Sequence, residues 1–202
     1  MSRPAPFVVF GPTGARSFRA RAADLEAAGG RVHHLDSGTL VTEQGIHRSF
    51  AETLGFPGYY GANWDALVDC LSDLCGAVTG GVGVVVVLHD ADLILDAEHF
   101  PLFVSVLCQG ADRANGPADL DGIPADRPAL SEHFHFEFRD FDPERIAHRV
   151  RRPDLTVTTG ADRVAAALNP DVWHWPTPRR LHRRRSHRTS VPCKFTCAYG
   201  EA

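Results

Sequence analysis

The sequence predicts an α/β fold, a small parallel sheet packed with helices. Three observations carry this. Val82 to Leu88 is a continuous, valine-rich run with no polar alternation, the pattern of a central strand covered on both faces. Short strand-like runs alternate along the chain with helical segments of apolar i, i+3, i+4 spacing, the order that builds parallel strands under crossover helices. Finally, 202 residues at 44% apolar and 23% charged supply one ordinary core and a small annex.

Taken in order, Phe7 to Phe10 is a short apolar run closed by Gly11-Pro12 and Gly14, and an Ala-rich helical stretch follows from about Phe18 to Ala28. Gly29-Gly30 ends that helix, and Arg31 to Leu35 reads as a strand entering the turn Asp36-Ser37-Gly38. Thr42 to Leu54 fits a helix, with Thr42 as its N-cap and Ile46, Phe50 and Leu54 at i, i+4 and i+8; Phe56 and Pro57 stop it. The loop Gly58 to Ala62 leads into a third helix, about Asn63 to Cys75. Trp64, Leu67, Leu71 and Leu74 make its apolar stripe, and Asp65, Asp69 and Ser72 fall on a different face. Phe100, Phe103, Val104 and Leu107 give a fourth amphipathic helix, and Phe134, Phe136 and Phe138 alternate with His135 and Glu137 in a last strand. Residues 115 to 131, rich in Pro, Gly and Asp, read as a loop. After Pro143 the pattern decays, with one short helix near Ala161 to Leu168 and disorder from 170 to 202. The resulting division is an N-terminal strand and helix extension at 1–31, a core domain at 32–142, and a basic, largely disordered tail at 143–202.

Composition narrows the function classes. No apolar run approaches the roughly 20 residues of a spanning helix, and no charged-then-apolar leader opens the sequence, so a cytoplasmic protein without a membrane partner is expected. Five cysteines (Cys70, Cys75, Cys108, Cys193, Cys197) suit free thiols in a reducing compartment better than a disulfide framework. The net charge of −4 hides a segregation: residues 1–32 carry +3, residues 33–142 carry −14 and residues 143–202 carry +7. An acidic middle repels nucleic acid and attracts cationic surfaces, which makes a basic protein its natural partner; acidity that serves only solubility is the plain alternative.

The most informative stretch is Phe56-Pro57-Gly58-Tyr59-Tyr60-Gly61-Ala62-Asn63-Trp64-Asp65-Ala66-Leu67-Val68-Asp69-Cys70-Leu71. Three of the chain's six Trp and Tyr residues crowd into positions 59 to 64, beside carboxylates, the composition of a binding hot spot. Asp65 and Asp69 share a face at i, i+4, and such a like-charge pair costs an isolated helix about 0.2 to 0.5 kcal/mol. Asp65 also complements the helix dipole in the first turn, whereas Asp69, further in, has no such structural reason. These sixteen residues resemble the signature of the barstar family, intracellular inhibitors of barnase-type ribonucleases, and the likeness extends loosely from about Val32 to Phe138.

The resemblance implies a barstar-like three-stranded parallel sheet packed with helices, here with an N-terminal extension and a disordered basic C-terminal tail. It implies a binding protein rather than an enzyme, with no cofactor, that forms a 1:1 complex with a small basic ribonuclease. Tyr59, Asp65 and Asp69 would enter the ribonuclease cleft, with Val68, Ser72 and Asp73 continuing the face, and inhibition would be competitive occlusion after electrostatic steering. Val68 stands where the best-known member has Trp and Ala62 where it has Glu. Each removes a potential contact, which points to a different cognate ribonuclease.

Other constellations compete. Asp90 and Asp92 follow the valine-rich strand at its carboxyl end, where α/β enzymes place metal-binding carboxylates, and a metal-dependent hydrolase is the alternative they define. Gly11 to Ser17 is similar to a phosphate-binding loop but lacks the four-residue gap and the Lys that its chemistry uses, so a tight turn explains it better. Cys193, Cys197, His182 and His187 have no recognised zinc spacing. Arg179 to Arg188 holds six arginines in ten residues. It could bind nucleic acid weakly, fold back on the acidic body, or be a non-native extension.

Overall fold

A computed structural model describes residues 7–77, 83–115 and 131–173. Six strands form one sheet in the order β2-β3-β4-β1-β6-β5. They are β1 (Val8–Pro12), β2 (Arg31–Asp36), β3 (Gly83–His89), β4 (Ser131–Phe138), β5 (Leu155–Thr159) and β6 (Val164–Leu168). The helices are α1 (Arg16–Ala27), α2 (Glu43–Leu54), α3 (Trp64–Ala77), α4 (Phe100–Ala114) and α5 (Pro143–Val150). β2, β3, β4 and β1 are parallel, while β6 runs antiparallel to both β1 and β5.

Local chemistry sets the element ends. The Thr42 hydroxyl accepts from the Gly45 amide at 3.0 Å and so caps α2, which Gly55 closes in the left-handed conformation at φ +67°. Asp142 accepts from the amides of Glu144 and Arg145, both at 3.1 Å, and Pro143 opens α5 where a missing N–H costs nothing. Strand side chains alternate between two layers. Leu35, Val84, Val86, Leu88, Phe134, Phe136, Phe138, Val8 and Phe10 join the main core, together with side chains of α2, α3, α4 and α5, with Leu155, Val164 and Ala166 of β5 and β6, and with Leu40, Ala91, Ile94 and Leu95 of the connecting segments. The opposite face is covered by α1 through the single buried side chain Phe18, which packs with Val9 and Ala165 and stacks on His135 at 4.5 Å between ring centroids.

Four expectations need correction. The sheet has six strands, not three: β2, β3 and β4 are the expected parallel set, and β1, β6 and β5 extend it. The disorder expected after Pro143 does not hold for residues 143–168, which form α5, β5 and β6. The Ala-rich stretch near 161–168 is the strand β6 rather than a helix, because pairing on both sides, with β1 and with β5, overrides alanine's local helix preference. Within this region Asp154 accepts from the buried Ser105 hydroxyl of α4 at 2.6 Å and from Arg152 at 2.9 Å, which ties the turn before β5 to the core. Phe134 to Phe138 is therefore not the last strand, and its alternating polar residues His133, His135 and Glu137 are buried too, under α1. The loop expected at 115–131 lies almost wholly outside the described residues, as does the tail from 174 onward.

Candidate binding face on helix α3

The loop before α3 is pinned from inside. The Tyr60 hydroxyl lies 2.6 Å from Nδ1 of the buried His47 of α2, and the Tyr60 ring packs edge-on against Phe56 at 5.0 Å. Burial pushes the Tyr60 hydroxyl pKa upward and the His47 pKa downward, the latter opposed by Glu43, so both groups are neutral and the phenol donates to the imidazole. Trp64, half-buried, packs against His47 and Phe103. Asn63 caps α3 by accepting from the Ala66 amide at 2.9 Å. Between these anchors Ala62 sits at φ +47°, a left-handed conformation unfavourable for a side-chain-bearing residue. With Tyr60 held inward, its neighbour Tyr59 stands 72% exposed.

Along α3, Leu67, Leu71 and Leu74 are buried, while Asp65, Asp69 and Asp73 are exposed and Ser72 is half-buried, its hydroxyl donating to the Asp69 carbonyl at 2.7 Å. Val68 departs from the expected face: it is 4% exposed and belongs to the core. At about 100° per residue, position 68 lies only about 40° from Trp64 and 60° from Leu71, so the apolar stripe is wide enough to take it in. Asp69 departs in another way. Its carboxylate is 63% exposed but pairs at 2.8 Å with Arg113, in the last turn of α4, whose side chain is 23% exposed. The structural reason that the sequence did not reveal for Asp69 is thus an ion pair across the α3–α4 contact. Cys70, beside it, is a thiol at neutral pH: burial, then Asp73 and Asp69, push its pKa up to about 11.

The competing carboxylates have other duties. Arg139 grips Asp90 through Nε and Nη2, and Asp92 accepts from the backbone amides of Arg139 at 2.8 Å and Asp140 at 3.2 Å. Both acids brace the turn after β4. Among the described residues no group of three or more His, Cys, Asp or Glu gathers as a metal site, and nothing there supports the hydrolase reading. In the Gly11 to Ser17 turn, Gly14 (φ +72°) gives its amide to Glu137 at 3.2 Å, so an internal carboxylate occupies the place a phosphate would take. Cys193, Cys197, His182, His187 and the arginine run lie outside the described residues.

The fold and this face define an α/β domain that presents an exposed tyrosine and three helix acids around an ordered loop. Residues 30–117, from β2 through α4, match the family model described as Barstar (barnase inhibitor), and over that span the chain is barstar-like. No curated protein matches the chain. Among the described residues no helix is long and apolar enough to cross a membrane.

Proposed function

We propose that this protein binds a small basic ribonuclease through Tyr59, Asp65, Asp69 and Asp73, with Ser72 at the margin, and inhibits it by covering its active site in a 1:1 complex in the cytoplasm. The observation that carries this reading is the placement of one exposed tyrosine and three exposed acids inside the segment that matches a family of barnase inhibitors. Carboxylates on a rigid helix imitate the spaced anionic charges of an RNA backbone, and a catalytic cleft built to hold phosphates attracts them. Arg113 has a double effect. It holds the Asp69 side chain in one geometry, which lowers the entropy lost on docking, and it sets a competing attraction that the partner's cation must exceed. Val68, buried, contributes to the position of the face rather than to contact.

The test is inhibition of a panel of small microbial ribonucleases by the full chain, repeated with Tyr59→Ala and Asp69→Ala. At least one basic ribonuclease is expected to lose activity at a stoichiometry of one, and each variant to weaken binding by on the order of 2 kcal/mol or more if its side chain is an anchor. Binding unchanged in both variants would place the interface elsewhere.

A further inference from the structure

On the α1 side of the sheet, at the carboxyl ends of β2, β3 and β4, a line of three polar side chains crosses the strands. Asp36 and His89 are register partners, as are His34 and Val87, so His34 and His89 lie diagonally on adjacent strands and on one face. Nδ1 of His34 is 2.8 Å from Nε2 of His89, and the two rings are within 10° of parallel. Behind them, Nδ1 of His89 is 2.9 Å from Oε2 of the buried Glu137, whose other oxygen takes the Gly14 amide at 3.2 Å. An ionised carboxylate only accepts, so Nδ1 of His89 donates to it, which leaves Nε2 as the nitrogen that faces His34 and can offer a lone pair. A histidine whose far nitrogen donates to an anchored carboxylate is the arrangement that orients metal-ligating imidazoles and raises their basicity.

We propose that His34 and His89 form a two-nitrogen site for a divalent cation that prefers imidazole, of the Zn2+, Ni2+ and Cu2+ class, with Glu137 as its supporting carboxylate. The cation takes the position of the proton now shared between the rings. For Nδ1 of His34 to coordinate, its proton moves to Nε2 of the same ring through solvent, and each ring binds the ion through its deprotonated nitrogen. At about 2.0 to 2.1 Å from each nitrogen, a tetrahedral ion requires the two nitrogens to part by roughly half an ångström. The His34 side chain, on an exposed residue of the edge strand, can rotate to supply it. No third protein ligand converges among the described residues, so water completes the shell. Imidazole ligands match this class of ion, whereas Mg2+ and Ca2+ require oxygen.

Because the full chain also holds Cys193, Cys197, His182 and His187, the readout must name the ring. Metal-free full-length protein, labelled with 15N, is titrated with Zn2+ while the imidazole nitrogens are followed by NMR. Nδ1 of His34 and Nε2 of His89 are expected to shift together and saturate together; His34→Gln should abolish the response at His89, and Glu137→Gln, which keeps an acceptor for Gly14, should weaken it about tenfold. Unshifted rings at His34 and His89 while Zn2+ binds elsewhere, or a His89 response indifferent to His34→Gln, would overturn the proposal. Amide spectra of each variant, matching wild type away from the site, exclude misfolding as the cause of a lost response.

Discussion

His135 offers the sharpest test of how the α1 layer is held. Its ring is 1% exposed, sits under Phe18, and neither nitrogen has a hydrogen-bond partner among the described residues. Burial first, then the Arg21 guanidinium, hold its pKa down at about 4, against an ordinary 6.5. The folded state therefore resists a proton that the unfolded chain accepts. Stability from this site is complete above about pH 6.5 and declines as the pH falls towards 4. At about 1.4 kcal/mol per pH unit the full loss is about 3 kcal/mol. His133, also buried and beside Arg21, is depressed to about 3 and pulls in the same direction. In His135→Phe the ring stack survives and the titrating group is gone. Removing two unpaired polar atoms should also stabilise the variant by about 1 to 3 kcal/mol at neutral pH. Urea unfolding of both proteins at pH 7.5, 6, 5 and 4.5 measures the gap, which should widen by about 2.5 kcal/mol between the first and the last. Curves that stay parallel across this range would refute the claim that a buried neutral imidazole limits acid stability.

Ala62→Gly relieves a left-handed backbone, and unfolding measurements should find the variant more stable by up to about 1 kcal/mol; a loss would mean that the methyl packs usefully in the loop. A Cβ on Gly110 would lie 2.7 Å from Cβ of Leu71, so Gly110→Ala should push α3 and α4 apart and cost about 1 to 3 kcal/mol, read as a lower Tm. In the proposed complex, Asp69→Ala should speed dissociation, Asp73→Ala should chiefly slow association, and rising salt should slow association of the wild type, all read by binding kinetics at two ionic strengths. Deleting residues 174–202 should leave Tm and inhibition nearly unchanged if that segment is a dispensable appendage; a large drop would mean that Trp175 packs on the domain.

The elements from β2 to β4 were legible because each carries its own local signal: the Thr42 cap, the i, i+4, i+8 repeat of α2, the two stripes of α3, the valine run of β3. What escaped was set by distant partners. Val164 to Leu168 is Ala-rich and locally helical in character, and only pairing with β1, over 150 residues earlier in the chain, makes it a strand. Leu155 and Val157 alternate with threonines, but five residues between an arginine-rich turn and Gly160 give too short a pattern to register. The site divides in the same way. The face of Asp65 and Asp69 could be read from helical spacing and Tyr59 and Asp73 from the resemblance, but the inward turn of Tyr60 could not, because its partner His47 lies on α2. Arg113 left no trace near Asp69, 44 positions away in sequence, although an arginine in the last turn of a predicted helix packed against α3 was a signal open to use.

The place of β1 between β4 and β6 gives the chain an order of assembly. Val8 pairs with Phe134 on one side and Ala166 on the other, so β1, translated before the other described strands, is among the last of them to find its neighbours. Until then β3 lacks β4 on its open side, and a valine-rich strand waits with unpaired amides during synthesis of the next forty-odd residues. The segment bearing Tyr59 and the helix acids is thus translated well before the sheet that supports it can close. Its folding rate is governed by long-range closure rather than by the well-capped helices, and a chain cut after α4 would carry the whole recognition sequence on an unfinished scaffold.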